Sequence, residues 1–244
     1  MNVSKDDAAG MAIADRMNTQ VRGMNVAMRN ANDAVSLAQT AEGAIGKVAD
    51  MLQRMRELAV QAANATNTSG DRDNLNQEYQ EMAKEIDRTL TNTKFNGLAI
   101  LGANAGSNDY QVGAYSTEQV RVTTTNLATN SAIIALTLST GTASTISGTN
   151  ALAATTAMTA IDSALTLVNQ QRAIYGAVQN RFDAIISVLQ VNAENTAAAR
   201  GRIMDADFAV ETANLSRAQI LQQAGSAMVA QANSLPQHVL QLLR

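Results

Sequence analysis

The chain contains no cysteine and no tryptophan, one proline and one histidine in 244 residues, and only 3% aromatics. Without cysteine there are no disulfides, no thiolate metal sites and no thiol nucleophile. A single proline, at Pro236, leaves long stretches free to stay helical. No stretch approaches the roughly 20 consecutive apolar residues of a membrane span. The net charge is −3 and the sequence pI about 5.2. That balance gives no field to gather phosphates, and seven phenylalanines and tyrosines leave little to stack on bases, so neither nucleic acid nor membrane is an expected partner.

Catalytic signatures are missing too. There is no P-loop, GxGxxG, HExxH or GxSxG pattern. His238 has no histidine or cysteine partner to share a metal, and no cofactor or metal is expected. The acid pairs Asp6/Asp7, Asp71/Asp73 and Asp205/Asp207 sit where helices would start, so capping accounts for them.

Hydrophobic residues make up 46% of the chain, and alanine and methionine carry much of that. Such side chains suit narrow helix–helix seams. From Asp6 to about Asn64, Met24, Met28, Ala31, Val35, Ala38, Ala41, Ile45, Val48, Leu52, Met55 and Ala59 follow at spacings of three or four. A helix of that extent would run about 90 Å. The turn-forming run Asn64–Asp73 predicts a reversal, and Leu75, Tyr79, Met82, Ile86 and Leu90 predict an antiparallel second helix to Asn92.

After Phe95-Asn96-Gly97 the period changes. Tyr110–Tyr115 and Gln119–Thr124, joined by Ser-Thr-Glu, predict a β-hairpin. Between Gly102 and Ala160 only Asp109, Glu118 and Arg121 are charged, and Ser139–Asn150 is expected to form a surface-facing loop. From about Thr155 the seam returns through Ile161, Leu165, Val168, Tyr175, Val178, Phe182, Ile185 and Leu189, until Arg200–Asp207 interrupts it. A last helix is expected from Phe208 to about Leu243.

The expected fold is therefore mainly α, an elongated antiparallel helical bundle or coiled-coil rod with a small β-hairpin region and a separate C-terminal helix. Its divisions are 1–96 (two rod helices), 97–154 (hairpin and short variable loop), 155–204 (returning rod helix) and 205–244 (core-forming helix). Apolar seams at both ends of one chain call for a partner, first the other arm and then another molecule.

Long blocks carry a family resemblance: SKDDAAGMAIADR (Ser4–Arg16), RNANDAVSLAQTAEGAI (Arg29–Ile45), LQRMRELAVQAAN (Leu52–Asn64), EIDR with TKFNG (Glu85–Gly97), AIDSAL (Ala160–Leu165), QNRFD (Gln179–Asp183) and the run from Arg202 to Asn233. In these blocks the sequence resembles the bacterial flagellins. The resemblance implies a non-enzymatic, secreted, extracellular subunit of the flagellar filament, exported through the flagellar type III channel. It places about 208–244 in the filament core and 6–200 in contacts between subunits. It also implies a further terminal helix ahead of Ser4 and larger outer domains in place of 125–155, so this sequence is expected to be a truncated form or a shortened paralogue.

The same resemblance implies three kinds of partner: other flagellin subunits, the flagellar export chaperone, and the host's flagellin-sensing Toll-like receptor. Receptor contact would fall on Gln53, Arg54, Glu57, Leu58, Gln61 and Glu78, with Arg54 and Leu58 as anchors. A plain solvated or intersubunit helix face is the competing reading of those residues. Chaperone and assembly contacts would fall on Ile220, Leu221, Met228, Val229, Val239, Leu240, Leu242 and Leu243, against the simpler reading of an ordinary core helix. Two other functions fit flagellin-like ends: a hook–filament junction protein, or a surface binding protein on the same scaffold that does not assemble.

Overall fold

The computed structural model describes residues 7–137, 141 and 143–242, with side chains through 232. Its elements are helix α1 (Ala8–Ala62), helix α2 (Ser69–Asn92), strands β1 (Lys94–Phe95) and β2 (Leu98–Ala99), strands β3 (Ser107–Gln111) and β4 (Gln119–Thr123), short helix α3 (Ser131–Thr137), helix α4 (Leu152–Met204) and helix α5 (Phe208–Leu242). The mainly helical class with a small antiparallel β region is as the periodicity predicts. Contacts divide the chain into two compact units, Thr19–Glu194 and the paired ends Met1–Asn18 with Asn195–Arg244.

Helix starts follow the predicted caps. The Asp7 carboxylate accepts from the Ala9 and Gly10 amides at 3.0 and 2.9 Å, and Asp207 does the same for Ala209 and Val210 at 2.9 and 3.3 Å. Helix α2 begins with a capping box: the Asp71 amide donates to the Thr68 hydroxyl, and the Thr68 amide donates to the Asp71 carboxylate at 2.9 Å. The Thr68 hydroxyl also donates to the Asp71 carboxylate at 2.7 Å, and that bond first, then the one from the Thr68 amide, holds the Asp71 carboxyl below its usual range. The carboxylate is the form that is bonded. Its contribution is therefore present above the ordinary carboxylate pKa and is lost as pH falls through the lower folded value.

Within the larger unit, α1 and α4 run antiparallel, since Glu42 meets Gln179 at 2.8 Å and Arg56 meets Asp162 at 2.8 Å. Helix α2 folds back on α1, with Arg54 beside Glu78. The main core takes Ile45, Leu52, Met55 and Ala59 from α1, Tyr79, Ile86 and Leu90 from α2, and Ile161, Val168 and Tyr175 from α4. These are the residues the three-to-four spacing predicts.

The β region differs in detail from expectation. A two-residue turn at Asn96 (φ 48°) and Gly97 (φ 81°) closes β1 against β2, a ribbon the sequence reading did not separate. The larger hairpin pairs Ser107–Gln111 with Gln119–Thr123, so its first strand starts before Tyr110 and its loop spans 112–118 instead of three residues. Burial explains the shift. Val120 and Val122 alternate inward on β4, and Tyr110 packs edge-on against Phe182 of α4 with ring centroids 5.5 Å apart. The loop lies on α1, where a Cβ on Gly23 would come within 2.8 Å of the Ala114 methyl.

Ser139–Asn150 was expected to face solvent, and its described residues do not do so uniformly. Ala143 and Ile146 are fully buried, as are Ile133 and Leu136 of the short helix before them. One face of α2 holds this strap by its main chain. The Tyr79 hydroxyl donates to the Ala143 carbonyl at 2.8 Å, the Ile146 amide donates to the Asn76 side-chain oxygen at 2.8 Å, and Arg72 reaches the Thr149 carbonyl at 3.4 Å. Positions 72, 76 and 79 recur at four and three, so they share a helical face. Polar side chains on α2, not strap hydrophobicity alone, decide the docking, and hydropathy could not reveal that.

Candidate interaction surfaces

The first surface is built by three helices. The turn at 63–68 returns α2 along α1 and brings Glu78 to Arg54, whose Nε donates to it at 2.8 Å while Nη1 donates to Glu57 at 2.9 Å. Arg54 is thus held from its own helix and from the neighbouring one. Its guanidinium is pushed above the ordinary arginine value, first by the hydrogen bond to Glu78 and then by that to Glu57. Beside it, Arg56 donates from Nε to Asp162 of α4 at 2.8 Å, and that bond raises its value as well.

Five of the six predicted contact residues stand together on this face: Gln53, Arg54, Glu57, Gln61 and Glu78 are exposed. Leu58 is the correction. It is 1% exposed and sits in the main core, because the helical period that turns Leu52, Met55 and Ala59 inward turns Leu58 with them. Val60 instead offers apolar surface there at 49% exposure, in an open hollow with Gln53, Arg56, Glu57 and Gln61. Asp162 escaped the sequence reading, since it lies 106 positions from its partner and no local motif links the two.

The face is suited to recognition and not to bond-breaking chemistry. Its arginines and carboxylates are mutually neutralised, leaving an apolar spot within an array of directed donors and acceptors. A separate cleft of about 600 Å³ lies between α1, α4 and the two β ribbons, lined by residues that include Asp33, Tyr110, Val122 and Tyr175. One of its carboxylates, Asp109, is bound at two points by Arg121 and held below the usual range by that contact. Among the described residues no three His, Cys, Asp or Glu side chains are grouped to hold a metal, and no helix is long and apolar enough to cross a membrane.

The second surface is α5. Every described side chain from Phe208 to Ala232 is exposed. Of the predicted residues, Ile220 and Leu221 are each 65% exposed, Met228 is 70% and Val229 is 60%. Phe208, Val210 and Leu215, which the sequence does not single out, extend the exposed apolar surface toward the start of the helix. Val239, Leu240 and Leu242 belong to the helical backbone, but their side chains, and all of Leu243, lie outside the described residues.

Comparison with known proteins shows the family. The family model for the bacterial flagellin N-terminal helical region matches residues 1–106, and that for the bacterial flagellin C-terminal helical region matches 158–243. Flagellin of Halalkalibacterium halodurans is 43% identical over 244 residues, covering all of this chain and 87% of that protein. Flagellin of Bacillus subtilis is 37% identical over 271 aligned positions, covering all of this chain and 88% of the relative. Among solved structures, Bacillus cereus flagellin superposes with a TM-score of 0.56 at 33% identity, over 70% of this chain and 94% of that one. The N-terminal match contains the three-helix face's α1 and α2 residues, and the C-terminal match contains the described apolar side chains of α5 from Phe208 onward. By these matches the chain belongs to the bacterial flagellin family, and it is a structural subunit of the flagellar filament, not an enzyme.

Proposed function

We propose that the chain joins other flagellin subunits through the apolar face of α5, that the flagellar export chaperone covers this same face before assembly, and that the Arg54–Glu57–Glu78 face is read by the flagellin-sensing Toll-like receptor. The observation that carries the first part is the exposure of Val210, Leu215, Ile220, Leu221, Met228 and Val229 along one helix. Large apolar side chains exposed in this number are unfavourable in water, and association removes them from it. A chaperone holding it would prevent premature contact in the producing cell. Subunits incorporated into a growing filament reach the outside of the cell by the flagellar export route.

The test of association is electron microscopy of seeded filaments, with sedimentation of the free chain. The unaltered chain is expected to add to seeds, whereas Leu221→Asp with Val229→Asp is expected to reduce incorporation at least about tenfold, each charge opposing burial. Circular dichroism of Thr19–Glu194's helices should be the same in both. Equal incorporation would contradict the assignment of α5.

Receptor recognition rests on the exposed Arg54, fixed by two carboxylates on separate helices. Replacing Arg54 and Glu78 with alanine is expected to lower reporter-cell activation about tenfold or more, as removal of a central arginine contact does. Stability should hardly move, since exposed ion pairs contribute about 0–1 kcal/mol. Unchanged activation by a folded double variant would leave this surface a solvated or intersubunit face.

A further inference from the structure

We propose that Met228 is an oxidation site at which a two-electron oxidant of the peroxide class reversibly disables the apolar face of α5. The inference rests on the reading of α5 as an association surface. Of the 11 methionines, Met228 is the exposed one among the described residues, at 70%, whereas Met24 is 9% and Met55 is 0% exposed and the remaining described ones are half-buried. Access of the oxidant to sulfur therefore separates this thioether from its counterparts in the helical core.

Its position gives the oxidation a consequence. Residues 210, 221 and 228 are separated by eleven and seven positions, intervals that bring a helix back to nearly the same face. Val210 (55% exposed) and Leu221 (65%) thus stand in line with Met228. Gly225 and Ala232 lie on the same side of the helix and keep it narrow there, so a partner's packing would centre on the long Met228 side chain. Methionine suits such a seam because it is flexible and apolar.

In the reaction a sulfur lone pair attacks one peroxide oxygen and the O–O bond breaks. The S=O bond forms, and the other oxygen leaves as water after proton transfer. Sulfur is oxidised by two electrons and the peroxide is reduced by two. The product is a polar sulfoxide whose oxygen is hydrated in the free chain, and packing it against an apolar partner surface costs that hydration. Oxidation of the free chain would then block packing, while a subunit already packed would shield its sulfur. Methionine sulfoxide reductase with a dithiol would restore the thioether, the sulfoxide oxygen leaving as water while the dithiol is oxidised to a disulfide.

The full chain would be exposed to dilute hydrogen peroxide, oxidation mapped by peptide mass spectrometry, and association followed by sedimentation and seeded incorporation. Met228 is expected to oxidise before Met24 and Met55, and association to weaken at least about tenfold. Met228→Leu, compared with its own untreated association whatever that level is, should lose nothing on the same treatment, and reductase supplied with a dithiol should restore the oxidised natural chain. Oxidation of Met228 no faster than Met55, full association of chain oxidised at Met228, or equal peroxide sensitivity of Met228→Leu would each overturn the proposal. If the untreated chain does not associate, it is the reading of α5 that fails; the order of oxidation still decides whether Met228 is a preferred site.

Discussion

Phe182→Ala should lower the unfolding free energy by about 3–5 kcal/mol, the range for truncating a fully buried aromatic. Phe182 is 0% exposed and packs with Ala31 and Ala34 of α1 and Val120 and Val122 of β4, so its ring fills the space where two helices and the hairpin meet. Alanine partners at 31 and 34 cannot expand into the void. The Tyr110 ring would lose its edge-on neighbour, and the hairpin would lose its largest anchor on α4. A urea titration followed by circular dichroism measures the shift, and hydrogen exchange should show the amides of 107–123 loosening first. A loss under about 1 kcal/mol would mean that the hairpin is not held by this contact.

The second large effect is expected at Arg72, which is buried at 4% exposure and whose guanidinium donates to three main-chain carbonyls: Ala62 at 2.8 Å, Asn64 at 3.1 Å and Thr149 at 3.4 Å. One guanidinium thus closes the end of α1, the turn into α2 and the strap before α4. Arg72→Ala leaves those carbonyls without their donors and opens a void, with an expected cost of about 2–5 kcal/mol. Arg72→Lys should recover only a small part, because a single ammonium cannot reproduce a planar fork directed at three acceptors. Equal unfolding midpoints for the lysine variant and the natural chain would show that the charge matters and the geometry does not.

These two residues mark where the sequence is legible. Phe182 falls on the returning seam, and spacing alone predicts its burial, as it does for Ile45, Leu52, Tyr79 and Ile161. Helix starts were readable because an aspartate at a cap has a local geometric role, seen at Asp7, Asp71 and Asp207. Arg72 was not readable, since a charged residue in a turn-rich stretch gives no sign that its partners are carbonyls 8 and 77 positions away. The strap reads as solvent-facing chain in the sequence for the same reason: Asn76 and Tyr79 bind its main chain, and main-chain recognition leaves no hydrophobic pattern.

The interaction face shows the same division. Resemblance to flagellin marked the segment Gln53–Gln61, and helical geometry then separated exposed Arg54, Glu57 and Gln61 from buried Leu58. Asp162 required the tertiary fold, because only antiparallel packing of α4 on α1 brings it to Arg56. For α5 the sequence singles out Ile220, Leu221, Met228 and Val229, and all four are exposed. Phe208, Val210 and Leu215 are exposed as well, so 208–232 presents apolar side chains from its first turn onward.

Hydrogen exchange along α5, in the verified monomer and again after incorporation into filaments, tests the central claim most directly. An isolated helix with no packed face is only marginally protected in water. Amides of 208–232 are therefore expected to exchange quickly in the monomer, while those of the buried α1 stretch Ile45–Ala59 exchange slowly, and the α5 amides are expected to become protected on incorporation. Strong protection throughout 208–232 in the monomer, unchanged by assembly, would contradict the account of α5 as the chain's exposed assembling surface.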